Sequence, residues 1–349
     1  MRIGHLQLPQ PFCQAGLAGY SDRAMRLVAR RHGCPYAVTE ALLDTILLNG
    51  GEGLRKSIDV NDEDHPVAGQ IMGSEPETMA RAATIIHNAG YDVVDLNFAC
   101  PVKKIKNKSR GGHMLRDVER GVSILRSVRD VIPAEKPLTV SLRRAFDETP
   151  ENEDSFFQLA DEMWRLGYAA VRVHARTVEQ RYLGRSSREF LKRVKEAYPN
   201  NTIIGSGDVF TAQDVVDMLA ETGVDGVWIA RGAIGNPWIF THAAQLLANP
   251  DTPLQPPTIH QQRDALADHF REAMTLHGEQ LAGRRMRKQG IKYSRFHPQA
   301  VDVKTAFVNT SSLREWQNTL DRWYTTDGSG VWPAVDAPDE VNDLQSCET

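Results

Sequence analysis

TIIGSGDVFTAQDVVDMLAETGVDGVWIARG, residues 202–232, decides the fold. A short β-branched run, Thr202–Gly205, ends in the small residues Gly205, Ser206 and Gly207. A helical stretch, Ala212–Glu221, follows with Thr211 as its N-cap, and the chain then returns to a second apolar run, Gly226–Ala230. Strand, small-residue loop, helix, strand is the repeating unit of a parallel α/β sheet.

Reading outward, the same unit recurs. Further strand-like runs are Phe12–Leu17, Tyr36–Thr39, Val67–Ile71, Asp92–Asn97, Leu138–Leu142 and Ala170–His174. Helical patterns such as Glu77–Ala89, Val118–Val131 and Ser155–Leu166 lie between them. Eight strands alternating with helices over roughly 240 residues predict an α/β fold, a (β/α)8 TIM barrel. An open doubly wound sheet is the alternative, but no GxGxxG follows the first strand.

The rhythm stops near Pro250. NPDTPLQPP, residues 249–257, holds four prolines in nine residues, as an extended linker would. Helical patterns at Ile259–Leu276, Gln280–Tyr293 and Ser312–Tyr324 then predict a C-terminal all-α domain. The expected division is a barrel over 1–248, a linker over 249–258, a helical domain over 259–325 and a poorly ordered tail over 326–349.

With 349 residues, 41% hydrophobic and 25% charged, the composition is that of a globular protein. No apolar run approaches the roughly 20 residues a bilayer-spanning helix needs, and MRIGHLQLPQPF has no signal-peptide apolar core. Cys13, Cys34, Cys100 and Cys347 form no CxxC or metal-ligand spacing, so a reducing, cytoplasmic setting without metal is expected. The net charge of −4 argues against nucleic acid, yet it conceals two basic clusters. Lys103–Arg110 holds five basic residues and no acid, and Arg284–Lys304 holds seven against Asp302 alone. Such clusters bind phosphate backbones when they lie on one face, and are otherwise solvated surface.

Active sites of these barrels form at the C-terminal strand ends. The polar residues there are Gln70, Asn97 with Cys100, Ser141 with Arg143, His174 with Arg176, Ser206-Gly207-Asp208, and Arg231. Cys100 stands out. It follows the strand by three residues from Asn97, precedes Pro101 and leads into the lysine-rich KKIKNKSRGG, a poor place for a buried structural thiol. Nucleophile and general acid are both open to it. The loops after the last two strands, with Gly205, Ser206 and Gly207 on one and Ala230, Arg231 and Gly232 on the other, suit a phosphate.

These segments resemble the tRNA-dihydrouridine synthase family, from about Phe12 to Tyr324. DLNFACPVKKIKNKSRGGHML (95–115) is similar to its Asn-x-x-Cys-Pro signature and the basic, glycine-containing loop that follows. AGLAGYSD (15–22), GQIMGSEP (69–76), VHARTVEQRYLG (173–184), IIGSGD (203–208) and IARGAIGNPWIF (229–240) resemble further family segments in order. The resemblance implies FMN on top of the barrel, NADPH (or NADH) as reductant and tRNA as partner, in a monomeric enzyme. Hydride would reach C6 of a uracil while Cys100, as the acid, protonates C5. An ordinary thiol, with pKa about 8.5, carries that proton at neutral pH.

Carried over by position, Gly16, Leu17, Ala18 and Gln70 line the isoalloxazine ring and Asn97 lies beside the base. His174, Ser206, Gly207, Asp208, Ala230 and Arg231 reach the ribityl chain and phosphate. Lys103 and Lys104 would flank the flipped uridine, with Arg176 also on the substrate side. The basic helix with Arg284, Arg285, Arg287 and Lys288 would grip the RNA.

The chain departs from the family on strand five. LTVSLRRAF (138–146) places Ser141 where the family carries a flavin-facing lysine, and matches its arginine with Arg143. A serine leaves the reduced flavin without a cation unless Arg143 folds back to supply one. Ala230 replaces a glycine before the phosphate-loop arginine, and Gly16-Leu17 replaces Pro-Met. Three functions are open on these residues: an active tRNA-dihydrouridine synthase, an FMN-barrel oxidoreductase acting on a small pyrimidine-like molecule, and a flavin-less RNA-binding relative. The basic helical domain speaks against the second; Ser141 motivates the third.

Overall fold

The computed structural model describes residues 1–51, 54, 58–101 and 110–334. Eight parallel strands close into a barrel: β1 (Phe12–Gln14), β2 (Ala37–Val38), β3 (Val67–Met72), β4 (Val93–Phe98), β5 (Leu138–Arg143), β6 (Ala170–His174), β7 (Ile203–Ser206) and β8 (Gly226–Ile229). Each pairs with the next in the chain, β8 pairs with β1, and a short outer strand, Leu42–Leu43, adds to β3. Around them lie α1 (Arg23–Arg31), α2 (Asp44–Asn49), α3 (Pro76–Asn88), α4 (Val118–Val131), α5 (Pro150–Arg165), α6 (Arg188–Ala197), α7 (Ala212–Thr222) and α8 (Trp238–Ala248).

The strands are apolar on the face that meets the helices. Leu96, Phe98, Val140, Leu142, Val171 and Val173 pack there with Ile86, Ile124, Leu125 and Phe156. Alternate residues point into the barrel, as the two-residue strand period requires. The lower interior is filled by Cys13, Tyr36, Ala68, Val93, Ala170 and Ile204, and Ile3 and Leu8 of the N-terminal hairpin segment close it from below. The N-terminal end is therefore plugged, and polar side chains gather toward the opposite mouth.

The C-terminal domain comprises α9 (Ile259–His277), α10 (Glu279–Tyr293), α11 (Ala300–Val308) and α12 (Leu313–Trp323). Reciprocal caps start α9 (Thr258 with Gln261) and α12 (Ser312 with Glu315). Helix α11, which the sequence pattern does not announce, has no side-chain cap at its start. Phe270 stacks on Trp316 at 4.8 Å, and this core takes in Ala24 and Trp238 from the barrel. Arg31 of α1 reaches Asp268 at 2.6 Å and Glu272 at 2.9 Å. A shared core and these charges hold the helical domain against the barrel.

The tail expected to be loose beyond 325 is fixed over 326–334. Gly328 accepts from Ile259 N–H at 3.0 Å, Val331 N–H donates to Phe296 at 2.9 Å, and Trp332 meets His242 edge-on at 5.4 Å. Residues 335–349 lie outside the described residues.

Candidate active site

A cavity of about 230 Å³ opens at the C-terminal mouth of the barrel. Its floor is a run of oriented amides. Gln70 donates from Nε2 to Asp95 at 2.6 Å, and its Oε1 accepts from Asn97 Nδ2 at 2.7 Å. Asn97 Oδ1 in turn accepts from the backbone N–H of Ala99 at 3.0 Å and of Cys100 at 2.9 Å. A strand-end asparagine thus turns the chain and seats Cys100 at the edge of the cavity.

Gly111 and Gly112 pack on that turn. Gly112 N–H donates to the Cys100 carbonyl at 3.0 Å, and Gly111 adopts φ 58°. A Cβ at Gly111 would stand 2.8 Å from the same carbonyl, so only glycine fits there. Cys100 is half-buried, whereas Cys13 and Cys34 are buried. Burial pushes the Cys34 thiol up to about 11 and Cys13 higher still, so neither is a reactive group.

Arg143 does not fold back into the barrel. Its Nε donates to the Ala99 carbonyl at 2.8 Å, and its Nη1 to those of Thr177 and Arg181 at 2.7 and 2.8 Å. Burial lowers its pKa to about 10, an effect opposed by Tyr182 and Cys100, and a guanidinium at that value is still charged at neutral pH. Ser141 is fully buried beneath the floor, where its hydroxyl is engaged by Asp95 at 3.3 Å and Arg172 at 3.1 Å.

On the opposite side the loops after β6, β7 and β8 meet at Asp208. One carboxylate oxygen accepts from Arg176 at 2.6 Å and Arg231 at 3.3 Å, the other from Ser186 N–H at 2.8 Å. Gly207 has φ 120°, and a Cβ there would collide with the Ser186 side chain. Ala230, the alanine that the sequence places before Arg231, has φ −103° and so does not need the left-handed backbone that favours glycine. Arg231 lies over the Phe210 ring at 4.7 Å. His174 Nδ1 accepts from Arg176 N–H at 3.3 Å, which leaves the proton on Nε2. Burial, with Arg143, Arg176 and Arg231 nearby, holds this imidazole neutral.

The structure brings Gly16, Leu17, Ala18, Gln70, Asn97, Cys100, Arg143, His174, Ser206, Gly207, Asp208, Ala230 and Arg231 onto one cavity. Two expected positions lie elsewhere. Ser141 is below the floor, and Arg176 is fully buried, spent on Asp208 and the carbonyls of Leu183 and Gly184 rather than turned to a substrate. Lys103 and Lys104 lie outside the described residues. Tyr20, Tyr182 and Trp228 also line the cavity. The first two sit in loops without a periodic signal, but Trp228 and Arg172 stand two residues before Ala230 and His174, and strand alternation alone points them inward.

Helix α10 runs beside the mouth. Lys288 donates to the Gly19 carbonyl and lies 4.4 Å from the Tyr20 ring, tying the helix to a cavity wall. Arg284, Arg285 and Arg287 are exposed, and Arg285 approaches Asp22 at 3.8 Å. Among the described residues no group of three His, Cys, Asp or Glu side chains could hold a metal, and no helix is long and apolar enough to cross a membrane.

The profile of the dihydrouridine synthase family matches residues 13–326. The chain is 32% identical to tRNA-dihydrouridine synthase B of Xanthomonas axonopodis pv. citri, over 96% of this chain and 99% of that one. It is 30% identical to tRNA-dihydrouridine synthase B of Pseudomonas aeruginosa, over 88% and 90%. Among solved structures, a 2-naphthoyl-CoA reductase superposes with TM-score 0.55 at 13% identity, covering 70% of this chain and 51% of that one. A morphinone reductase superposes with TM-score 0.53 at 16% identity, covering 73% and 91%. At such identities these two show the barrel fold alone.

Proposed function

The chain belongs to the dihydrouridine synthase family, and from that premise we propose that it reduces the C5=C6 bond of uridines in tRNA, with FMN at the barrel mouth and NADPH as reductant. The observation that carries this reading is the seat of Cys100: a half-buried thiol fixed by Asn97 at the edge of a cavity whose far side is lined by Arg231 and the backbone of the loops after β7 and β8.

The donor set fits FMN. Arg231 and the backbone at Gly207 and Ala230 face the phosphate side, and the neutral His174 offers an N–H toward a polyol. Gly16, Leu17 and Ala18 form an apolar wall of the cavity against which a flat ring can lie. When bound, the flavin supplies the hydride that adds to uracil C6.

The chain's own residues do the rest. Cys100 gives its proton to C5, so hydride and proton together saturate the double bond. Arg143, fixed beside Cys100 by three carbonyls, stabilises the thiolate left behind. A paired uridine is out of reach of this cavity, so the base is turned out of its stack, at a cost of a few kcal/mol. Arg284, Arg285 and Arg287 on α10 hold the RNA backbone next to the mouth. Comparing dihydrouridine in tRNA from cells with and without the gene tests the reading. Loss of dihydrouridine at one or more positions is expected, and an unchanged map contradicts it.

A further inference from the structure

Ser141 and Arg172 are direct partners in the pairing of β5 with β6. Their side chains meet under the cavity floor, where Arg172 Nε donates to Ser141 Oγ at 3.1 Å. Arg172 also ion-pairs with Asp95, reaches Thr139 Oγ1 at 3.3 Å and lies 5.0 Å from the Trp228 ring. Asp95, Thr139, Ser141 and Arg172 are all fully buried. A buried carboxylate without a cation is strongly destabilising, and strand five, where the family resemblance places a lysine, offers only a hydroxyl.

We propose that Arg172 supplies Asp95 with the buried cation that a lysine in place of Ser141 would otherwise supply, one strand along at the paired register, and that through Asp95 it orients the floor on which Cys100 is seated. This rests on the function proposed above for Cys100. A carboxylate only accepts hydrogen bonds, so an ionised Asp95 compels Gln70 to turn its amide nitrogen toward it. Gln70 then has only its oxygen left for Asn97, and Asn97 only its oxygen for the N–H groups of Ala99 and Cys100. Each amide has one orientation as long as Asp95 stays charged. Arg172 acts from beneath the cavity lining and is a positioning residue.

The test compares Arg172→Met, Ser141→Lys and the double variant Ser141→Lys/Arg172→Met. Melting temperature and flavin content are read on protein alone, and single-turnover flavin reduction and dihydrouridine formation are read with NADPH and tRNA. Arg172→Met should melt lower and, where folded, lose about 10²-fold in dihydrouridine formation, as a small misplacement of a reacting group does, with a smaller loss in flavin reduction. Ser141→Lys alone sets two cations about one carboxylate and should also melt lower than the parent. The double variant should recover stability, and dihydrouridine formation to within about tenfold of the parent.

Simple additivity of the two substitutions would overturn the proposal, as would a double variant no more stable than Arg172→Met. So would an Arg172→Met protein whose two steps slow equally. If Arg172→Met does not fold, recovery of a folded, flavin-binding double variant supports the exchange and its failure overturns it. Coupling in the melting data needs no RNA, so a parent that makes no dihydrouridine would overturn the functional reading and leave this result standing.

Discussion

Asp208 holds a left-handed backbone, φ 52°, without being glycine, and its carboxylate shows what holds it there: Arg176 and Ser186 from the loop after β6 and Arg231 from the loop after β8 all donate to it. Its neighbour Gly207 has no such latitude, because φ 120° and the Ser186 side chain both exclude a Cβ. Strain of this kind is worth about 1–3 kcal/mol. Gly207→Ala is therefore expected to weaken flavin affinity about ten- to hundredfold, read by titrating apoprotein with FMN. Parent-like affinity would mean that the β7 loop takes no part in holding the phosphate. At this scale strand alternation was enough to place Gln70, Asn97 and His174 on the inward face in the C-terminal half of their strands, and Cys100 follows just past the end of β4. Alternation misled at Ser141 and Arg176. Their direction along the strand was legible, but the partners that occupy them, Asp95 with Arg172 and Asp208 with Gly184, are set by neighbouring strands and loops.

Helix α9 carries His269 into the interface between the helical domain and the barrel. Burial lowers its pKa from 6.5 to about 4, against the opposing pull of Asp22 and Asp268, and its ring lies 6.1 Å from Tyr293. The sign follows from linkage. Above pH 6.5 the imidazole is neutral in both the folded and unfolded chain. As pH falls below 6.5 the unfolded chain takes up a proton that the folded one refuses, and stability drops until about pH 4. That shift corresponds to about 3 kcal/mol. The melting temperature should fall across this window, and His269→Phe should flatten the fall. An equally steep decline in His269→Phe would assign the acid sensitivity to other groups, among them His174. The elements themselves were largely legible, since long amphipathic stretches such as Val118–Val131 have a clear period. Helix α11 was not, being nine residues long and uncapped, so its stability comes from packing Val303 and Phe307 into the helical core.

The whole molecule places the Cys100 cavity and a basic helix on the same side, which reconciles a net charge of −4 with an RNA substrate. Four of the five basic residues of α10, Arg284, Arg285, Arg287 and Lys288, separate into two roles. Replacing Arg284, Arg285 and Arg287 by alanine should weaken tRNA binding and lower its salt slope by about one unit or less for each phosphate no longer neutralised, with flavin content unchanged. Lys288→Ala should instead disturb flavin binding, because Lys288 ties α10 to Gly19 and Tyr20 at the cavity wall. An unchanged slope in the triple variant would make the helical domain an appendage of the barrel. The measurement that bears most directly on the central claim is a single turnover of flavin-loaded protein, reduced with NADPH and mixed with unmodified tRNA, in the parent and in Cys100→Ala. The account predicts dihydrouridine in the parent and a loss of about 10²–10⁴-fold in the variant, with flavin content and flavin reduction retained. Undiminished dihydrouridine in Cys100→Ala, or none from a flavin-loaded parent, would contradict it.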